Sequence, residues 1–216
     1  MLIEDYANPF DALLDFEDML SEYTGAPYVV LTDCCTHAME LCFRLWSRKK
    51  GVTRTFYRPV LPHRTYLSVP MLMRHRLLMG HIIYEELDWE ADGQYPIKGV
   101  GKDKIYDSAR LFEEDMYIPG SYQCLSFGHK KPLQIGAGGA ILLDNGDDYT
   151  ALKRMAYDGR DIHTYDKWAD QKVFGVGYHY HMRPEWAVKG MRMLDDGDIQ
   201  DPPPFNYPDL RELTIG

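Results

Sequence analysis

Residues 27–48 change hydrophobic period once, and that change constrains the fold more than any other feature of the chain. PYVVL (27–31) is a short apolar run rich in β-branched residues, the pattern of a buried strand. TDCCTH follows as a polar turn, and from Thr36 to Arg48 the apolar residues Met39, Leu41, Cys42, Leu45 and Trp46 return at helical spacing. Strand, polar turn and helix in that order make half of a βαβ unit, which requires a sheet with helices packed on it. Just upstream, FDALLDFEDMLSEY (10–23) sets Phe10, Leu13, Leu14, Phe16, Leu20 and Tyr23 on one helical stripe, and Gly25 supplies a stop.

The alternation continues less cleanly. TFYRPVL (55–61), HIIYEEL (81–87), KIYD (104–107), SYQCLSF (121–127) and GGAILLD (138–144) read as strands. PHRTYLSVPMLMRH (62–75), DYTALKRMAYDG (148–159) and RPEWAVKGMRMLDDG (183–197) read as helices, with Pro70 either early in the first or kinking it and Pro184 near the start of the last. WEADGQYPIKGVGKD (89–103) and residues 160–180 carry no period and are expected to be loops. The expected fold is α/β, three-layered around one central, mainly parallel sheet. Residues 1–197 form one domain, and the Pro-rich stretch 198–216 is an extended or partly disordered tail.

Size and charge narrow the function classes. A 216-residue chain with 45% hydrophobic residues hides roughly 70% of its unfolded surface, so it needs no disulfide or structural metal. The net charge of −9 disfavours nucleic acid and anionic membrane as partners while leaving room for a local anion pocket. Cys34, Cys35, Cys42 and Cys124 have neither disulfide-framework nor zinc spacing. No apolar run reaches membrane-span length, and MLIEDYANPF lacks a signal pattern, so a cytoplasmic, reducing compartment is expected.

The segment SFGHKKPLQIGAGGAILL (126–143) holds the most chemistry. A lysine pair follows a strand ending in Ser126–Phe127, and Gly136, Gly138 and Gly139 lead into the next strand. Taken alone it is equally a surface hairpin with two solvated lysines, since it is neither a Walker loop nor a dinucleotide fingerprint.

Laid beside four other segments, it resembles the DegT-type sugar aminotransferases, fold-type-I enzymes that use pyridoxal phosphate (PLP) on nucleotide-linked keto-sugars. There the Schiff-base lysine lies four residues after a Ser-Phe strand end, and Gly-Glu-Gly-Gly follows five residues later. In this chain the count from Phe127 reaches Lys131, and the next count reaches Gly136 of Gly-Ala-Gly-Gly, with Ala137 in the glutamate's place. The resemblance therefore assigns the cofactor to Lys131 and not to Lys130. KIYDSAR (104–110) resembles the family's Glu-Asp-Ala-Ala-Gln, which makes Asp107 the partner of the pyridine nitrogen and puts Arg110 where Gln or His contacts the phenolic oxygen. TDCCTHAMEL (32–41) resembles the Ser-Gly-Thr-Ala-Ala-Leu phosphate turn, giving Cys34, Cys35 and Thr36 those three places. Such a turn ahead of a helix presents free N–H groups to an anion, although Thr36 also suits a plain cap. Ser126 is implied as a further phosphate ligand.

PHRTYLS (62–68) resembles the family's Pro-x-x-Thr-Phe/Tyr, which implies that Tyr66 covers the cofactor ring, where stacking adds on the order of 1 kcal/mol. GVGYHYHMRPEWAVKG (175–190) resembles Gly-Tyr-Asn-Tyr-Arg-Met and the helix after it. His179 stands at the Asn that reaches a neighbouring subunit's cofactor phosphate, and His181 at the Arg. His-Tyr-His also fits surface histidines, and no third metal ligand lies at a convincing spacing, so no metal is expected.

The resemblance implies the large domain of such an enzyme without most of the small C-terminal domain. PLP is the implied cofactor, an amino donor such as glutamate and a keto-sugar the implied small-molecule substrates, and a homodimer with a shared site the implied assembly. The alternatives are a non-catalytic or regulatory binding protein of this fold, or other PLP chemistry on a nucleobase or amino acid. Retention of Lys131 favours transamination over the dehydration run by relatives with His there.

Overall fold

The computed structural model describes residues 2–51, 57–97, 104–161, 175–204 and 206–213. A short 3-10 turn (Ile3–Asp5) precedes helix α1, Asp11–Thr24, which ends where Gly25 adopts a left-handed φ of 72°. Strand β1, Tyr28–Thr32, leads through an extended Cys34 into helix α2, Cys35–Lys50. Arg48, Lys49 and Lys50 fill the last turn of α2, where the helix dipole favours cations, and Lys49 reaches Asp148 at 2.7 Å.

Strand β2 (Val60–Pro62) and strand β3 (Ile83–Glu85) form a separate parallel pair. Between them lies helix α3, only Ser68–Met71, which runs on as a π-helical segment, Leu72–Arg76. The expected helix over 62–75 is thus shorter at its start. The segment enters as strand, and Pro70, which cannot donate within a helix, sits in the first turns of α3. The Leu77 N–H then returns to the Leu72 carbonyl at 3.0 Å, one residue wider than an α-helix.

Strands β4 (Tyr95–Pro96), β5 (Lys104–Asp107), β6 (Ser121–Ser126) and β7 (Gly139–Leu143) join β1 in one sheet of order β1-β7-β6-β5-β4. The α/β class holds, but the sheet is mixed and not mainly parallel. Only β5 and β6 pair in parallel, while β1–β7, β6–β7 and β4–β5 are antiparallel. The reason is β7, which returns from β6 without a crossover helix and inserts between β6 and β1, so both its neighbours oppose it.

Alternation along the strands builds the three layers. In β7, Ile141 and Leu143 enter one core with Cys42, Leu45 and Trp46 of α2, together with Leu152 and Met155. Ala140 and Leu142 enter the other, with Leu13, Phe16 and Leu20 of α1, and with Ala187, Val188 and Met191. Leu152 and Met155 belong to helix α4, Gly146–Ala156, and Ala187, Val188 and Met191 to helix α5, Pro184–Asp195; both observed spans overlap the expected ones. All five β7 residues are buried, so the apolar run marks a strand covered on both faces. Among the described residues, no helix is long and apolar enough to cross a membrane.

Candidate active site

Because β1, β5 and β6 run in the same direction, their C-terminal ends meet at one edge of the sheet, together with the start of β7 and the N-terminus of α2. The carboxyl edge of such strands is where α/β sheets hold ligands. Asp107 ends β5 and is 3% exposed. Its Oδ2 accepts from the Tyr95 hydroxyl at 2.9 Å, and its Oδ1 from the Ala109 N–H at 3.1 Å. Tyr95 in turn shares a 2.7 Å hydrogen bond with Thr65, so the carboxylate is held by a buried chain of hydroxyls.

Lys130 and Lys131 separate sharply. Lys130 is exposed with a left-handed φ of 62°, whereas Lys131 is half-buried. Burial lowers the Lys131 ammonium below the ordinary lysine range, opposed by the Asp107 carboxylate and helped by the Arg110 charge. Burial likewise raises Asp107 above the ordinary carboxylate range, against the pull of Lys131 and of the Tyr95 hydrogen bond. Each charge acts on the other, and desolvation dominates both.

The hydroxyl side of the site gathers around α2. Thr36 Oγ1 lies 2.8 Å from Ser68 Oγ, which joins the start of α2 to the start of α3. Cys35 is buried, its Sγ donating to the Cys124 carbonyl at 3.4 Å, and burial pushes its thiol well up. Its electrostatic neighbours are Asp107 and Lys131, so the expected phosphate turn borders the expected lysine and carboxylate. Ser126, half-buried at the end of β6, pairs in register with Gly139, whose Cα packs directly on the Cys34–Cys35 peptide.

Three expected residues lie differently. Tyr66 is 58% exposed and meets the Tyr207 ring edge-on at 6.1 Å. Arg110 is buried, with Nη2 donating to the Pro203 carbonyl at 2.6 Å. His179 sits on the surface, its side chain 76% exposed and its Nδ1 3.1 Å from Asp158. Within one chain it is not brought to the others.

Asp33, Cys34 and His37 bring three potential metal-ligand atoms within 4.8 Å of one another. Both His37 nitrogens are engaged, Nδ1 with Asp33 at 2.6 Å and Nε2 with an Arg76 Nη1 donor at 2.8 Å. A cation bound through Nδ1 would have to break the Asp33 hydrogen bond, and one bound through Nε2 would have to displace the guanidinium, which sets this cluster apart from an open metal site.

With that geometry in hand, known structures can be compared. PseC, an aminotransferase of pseudoaminic acid biosynthesis from Helicobacter pylori, superposes with a TM-score of 0.67 at 12% identity over 86% of this chain. The sugar aminotransferase Spr1654 from Streptococcus pneumoniae, described as putative in its apo-form structure, matches with a TM-score of 0.64 at 15% identity over 85% of the chain. The chain has the sugar-aminotransferase fold. AtS13 from Actinomadura melliaura adds a TM-score of 0.70 at 18% identity over 87% of the chain. Spr1654 has been solved in PLP and PMP forms. The chain spans only 57%, 60% and 58% of PseC, AtS13 and Spr1654 respectively. No protein-family model matches the sequence, and no curated protein does.

Four residues of this aminotransferase-fold site escape sequence reasoning: Tyr95, Thr65, Ser68 and Tyr207. Tyr95 lies in a stretch read as loop, and only the structure shows it and Ile97 buried on either side of the half-buried Pro96. Ser68 lies two positions after Tyr66 in a segment already singled out, and only the fold brings its hydroxyl to Thr36.

Proposed function

We propose that this chain binds PLP and works as an aminotransferase, moving an amino group from glutamate or another amino acid to a keto-sugar or nucleotide-linked keto-sugar. The observation that carries the reading is the juxtaposition of half-buried Lys131 with buried Asp107 at the carboxyl edge of a sheet with this fold. The residues present suit the cofactor's chemistry: a carboxylate for a ring nitrogen, an amine of lowered pKa for an aldehyde, and hydroxyls with helix N–H groups for a phosphate.

When bound, PLP supplies an aldehyde that condenses with amines and a ring that takes up electrons from the reacting carbon. Lys131 Nζ then has the proton work. Its lowered pKa leaves more of it neutral near pH 7 than a solvated lysine, so it can accept a proton and return it. Asp107, oriented by Tyr95 and Ala109, would hold the proton of the ring nitrogen. Thr36, Ser68, Ser126 and the Cys35 backbone would hold the phosphate, and exposed Tyr66 would have to turn from Tyr207 to cover the ring. Arg110, whose charge acts on Lys131, would add a fixed positive charge to the site. His179, on the open surface, is available to a second copy of the chain, in keeping with a homodimer that shares its sites.

The test is spectroscopic. Protein mixed with PLP is expected to turn yellow, and borohydride is expected to fix the cofactor on the Lys131 peptide. Lys131→Ala abolishes both, and added glutamate bleaches the wild-type band. Protein that stays colourless with excess PLP overturns the reading and favours a non-catalytic role for the fold.

A further inference from the structure

The described residues of the Pro-rich tail add no strand to the sheet, yet they come back across the candidate site. Past α5, the Gln200 N–H donates to the Pro132 carbonyl at 3.0 Å, one residue beyond Lys131. The chain then passes Arg110, whose Nη2 donates to the carbonyls of Pro203 at 2.6 Å and Pro202 at 3.5 Å. The Tyr207 phenol also accepts from the Arg110 guanidinium, and its ring lies nearly parallel to that of Trp89 with centroids 6.4 Å apart. Arg64 Nη1 donates to the Tyr207 carbonyl at 3.4 Å. The run ends where the Leu210 N–H donates to the His63 carbonyl at 2.8 Å and its side chain is 1% exposed.

Apart from the stacking on Trp89, whose Nε1 donates to the Arg64 carbonyl at 2.9 Å, these contacts fall on segments that carry the site: 62–66, Arg110 or the lysine loop. The consecutive prolines 202–204 have no N–H to satisfy and hold the chain extended, which leaves their carbonyls open to the guanidinium. Among the described tail residues, only Leu210 is buried. A segment fixed by a few hydrogen bonds and one buried anchor opens at far lower free energy than the sheet it lies on.

We propose that residues 199–204 and 206–210 are a strap over the candidate active site, with Leu210 as its latch and Tyr207 as a positioning residue that holds Arg110 beside Lys131. The strap's acceptors on Arg110 are neutral carbonyls and a phenol, so the guanidinium keeps its full charge next to Lys131. Closing the strap shields Lys131 from water, and opening it admits ligand. The inference rests on the proposed function for what enters, but the closure itself is tested without cofactor.

The test measures how fast an amine-reactive reagent labels Lys131 in the full chain, read by peptide mass spectrometry, with exposed Lys130 as an internal control. Leu210→Ala is expected to raise Lys131 labelling about tenfold or more, because losing a buried leucine side chain shifts a local opening equilibrium by at least that factor. Lys130 labelling stays constant, and hydrogen exchange shows lost protection at Gln200 and Leu210 while β6 and β7 stay protected. Tyr207→Phe, which keeps the ring, is expected to move the pH midpoint of Lys131 labelling upward as Arg110 drifts from it. Unchanged Lys131 labelling in Leu210→Ala despite a loosened tail overturns the strap, as does an unshifted midpoint in Tyr207→Phe for the positioning role. If wild-type protein never turns yellow with PLP, the proposed function falls while the labelling result still decides the strap.

Discussion

Tyr95 and Asp107 face each other across the antiparallel β4–β5 pair, with the phenol donating to the carboxylate at 2.9 Å. Tyr95 is 1% exposed, so neither its hydroxyl nor the groups it serves have water as a substitute. Tyr95→Phe strips one hydrogen bond from Asp107 and one from buried Thr65 at once. The expected cost is about 1–3 kcal/mol of stability, the penalty for leaving buried polar groups unmet. Urea denaturation checks the cost, and a midpoint equal to wild type would show that the hydroxyl chain carries no weight.

Asp107 and Lys131 make apo-protein stability depend on pH in opposite senses. The Asp107 pKa is raised in the folded state, so its contribution is present below the ordinary carboxylate range and is lost as pH rises through the raised value. The Lys131 pKa is lowered, so its contribution is present above the ordinary lysine range and is lost as pH falls through the lowered value. Near neutral pH both groups therefore oppose folding. Asp107→Asn keeps an acceptor for Ala109 and a polar partner for Tyr95, so it is expected to raise the melting temperature of apo-protein at pH 7. It should also flatten the fall in stability between acid and neutral pH, while destroying PLP chemistry. A lower melting temperature would mean that the Lys131 attraction outweighs the burial of the carboxylate.

The parts of this site legible in the sequence are those that lie on long apolar runs or on turns next to them. PYVVL, KIYD, SYQCLS and GAILL each gave a strand, and Asp107 and Ser126 at the ends of two of them lie at one edge of the sheet with Thr36 and Lys131 in the segments that follow β1 and β6. Strand direction was not legible, because a buried strand reads the same whichever way it runs, and β7 differs from its neighbours only in lacking a crossover. Tyr95 was hidden because β4 is two residues long, too short for a period, and one of the two is proline. The tail was hidden for a different reason. Its contacts are mostly backbone carbonyls meeting Arg110 and backbone amides meeting Pro132 and His63, and such hydrogen bonds leave no mark on side-chain pattern.

Glu17 and Lys153 form a buried pair that joins α1 to α4. Lys153 Nζ donates to both carboxylate oxygens at 2.7 Å, and Glu17 Oε1 also accepts from the Leu31 N–H of β1 at 3.0 Å. Glu17→Ala would strand an ammonium and a backbone donor, at an expected cost of about 3–5 kcal/mol. Replacing both residues by methionine removes the uncompensated charge and is expected to recover most of that loss. Chemical denaturation of the two variants checks the ordering. A double variant no more stable than Glu17→Ala would show that the Leu31 N–H, not the ammonium, carries the penalty.

Gly139 is held to glycine by its neighbours, not by its backbone angles. A Cβ there would lie 2.6 Å from the Cys35 nitrogen, 2.7 Å from the Cys34 carbonyl carbon and 2.8 Å from the Leu125 oxygen. All three are backbone atoms, so no rotamer change relieves the contact. They belong to β6 and to the entry into α2, the two elements that position Ser126 and Thr36. Gly139→Ala must therefore push β7 away from the phosphate side of the site, at an expected cost of about 3 kcal/mol, the upper end of ordinary overpacking. Gly51 provides the comparison, with a left-handed φ of 62° and nothing within 4 Å of an added Cβ. Gly51→Ala is expected to cost about 1 kcal/mol through backbone strain alone and to leave ligand binding untouched. Urea midpoints and PLP titrations of the two variants separate these origins. Equal losses would mean that the glycine run before β7 serves only backbone freedom, and that the close seating of β7 on α2 does not set the site.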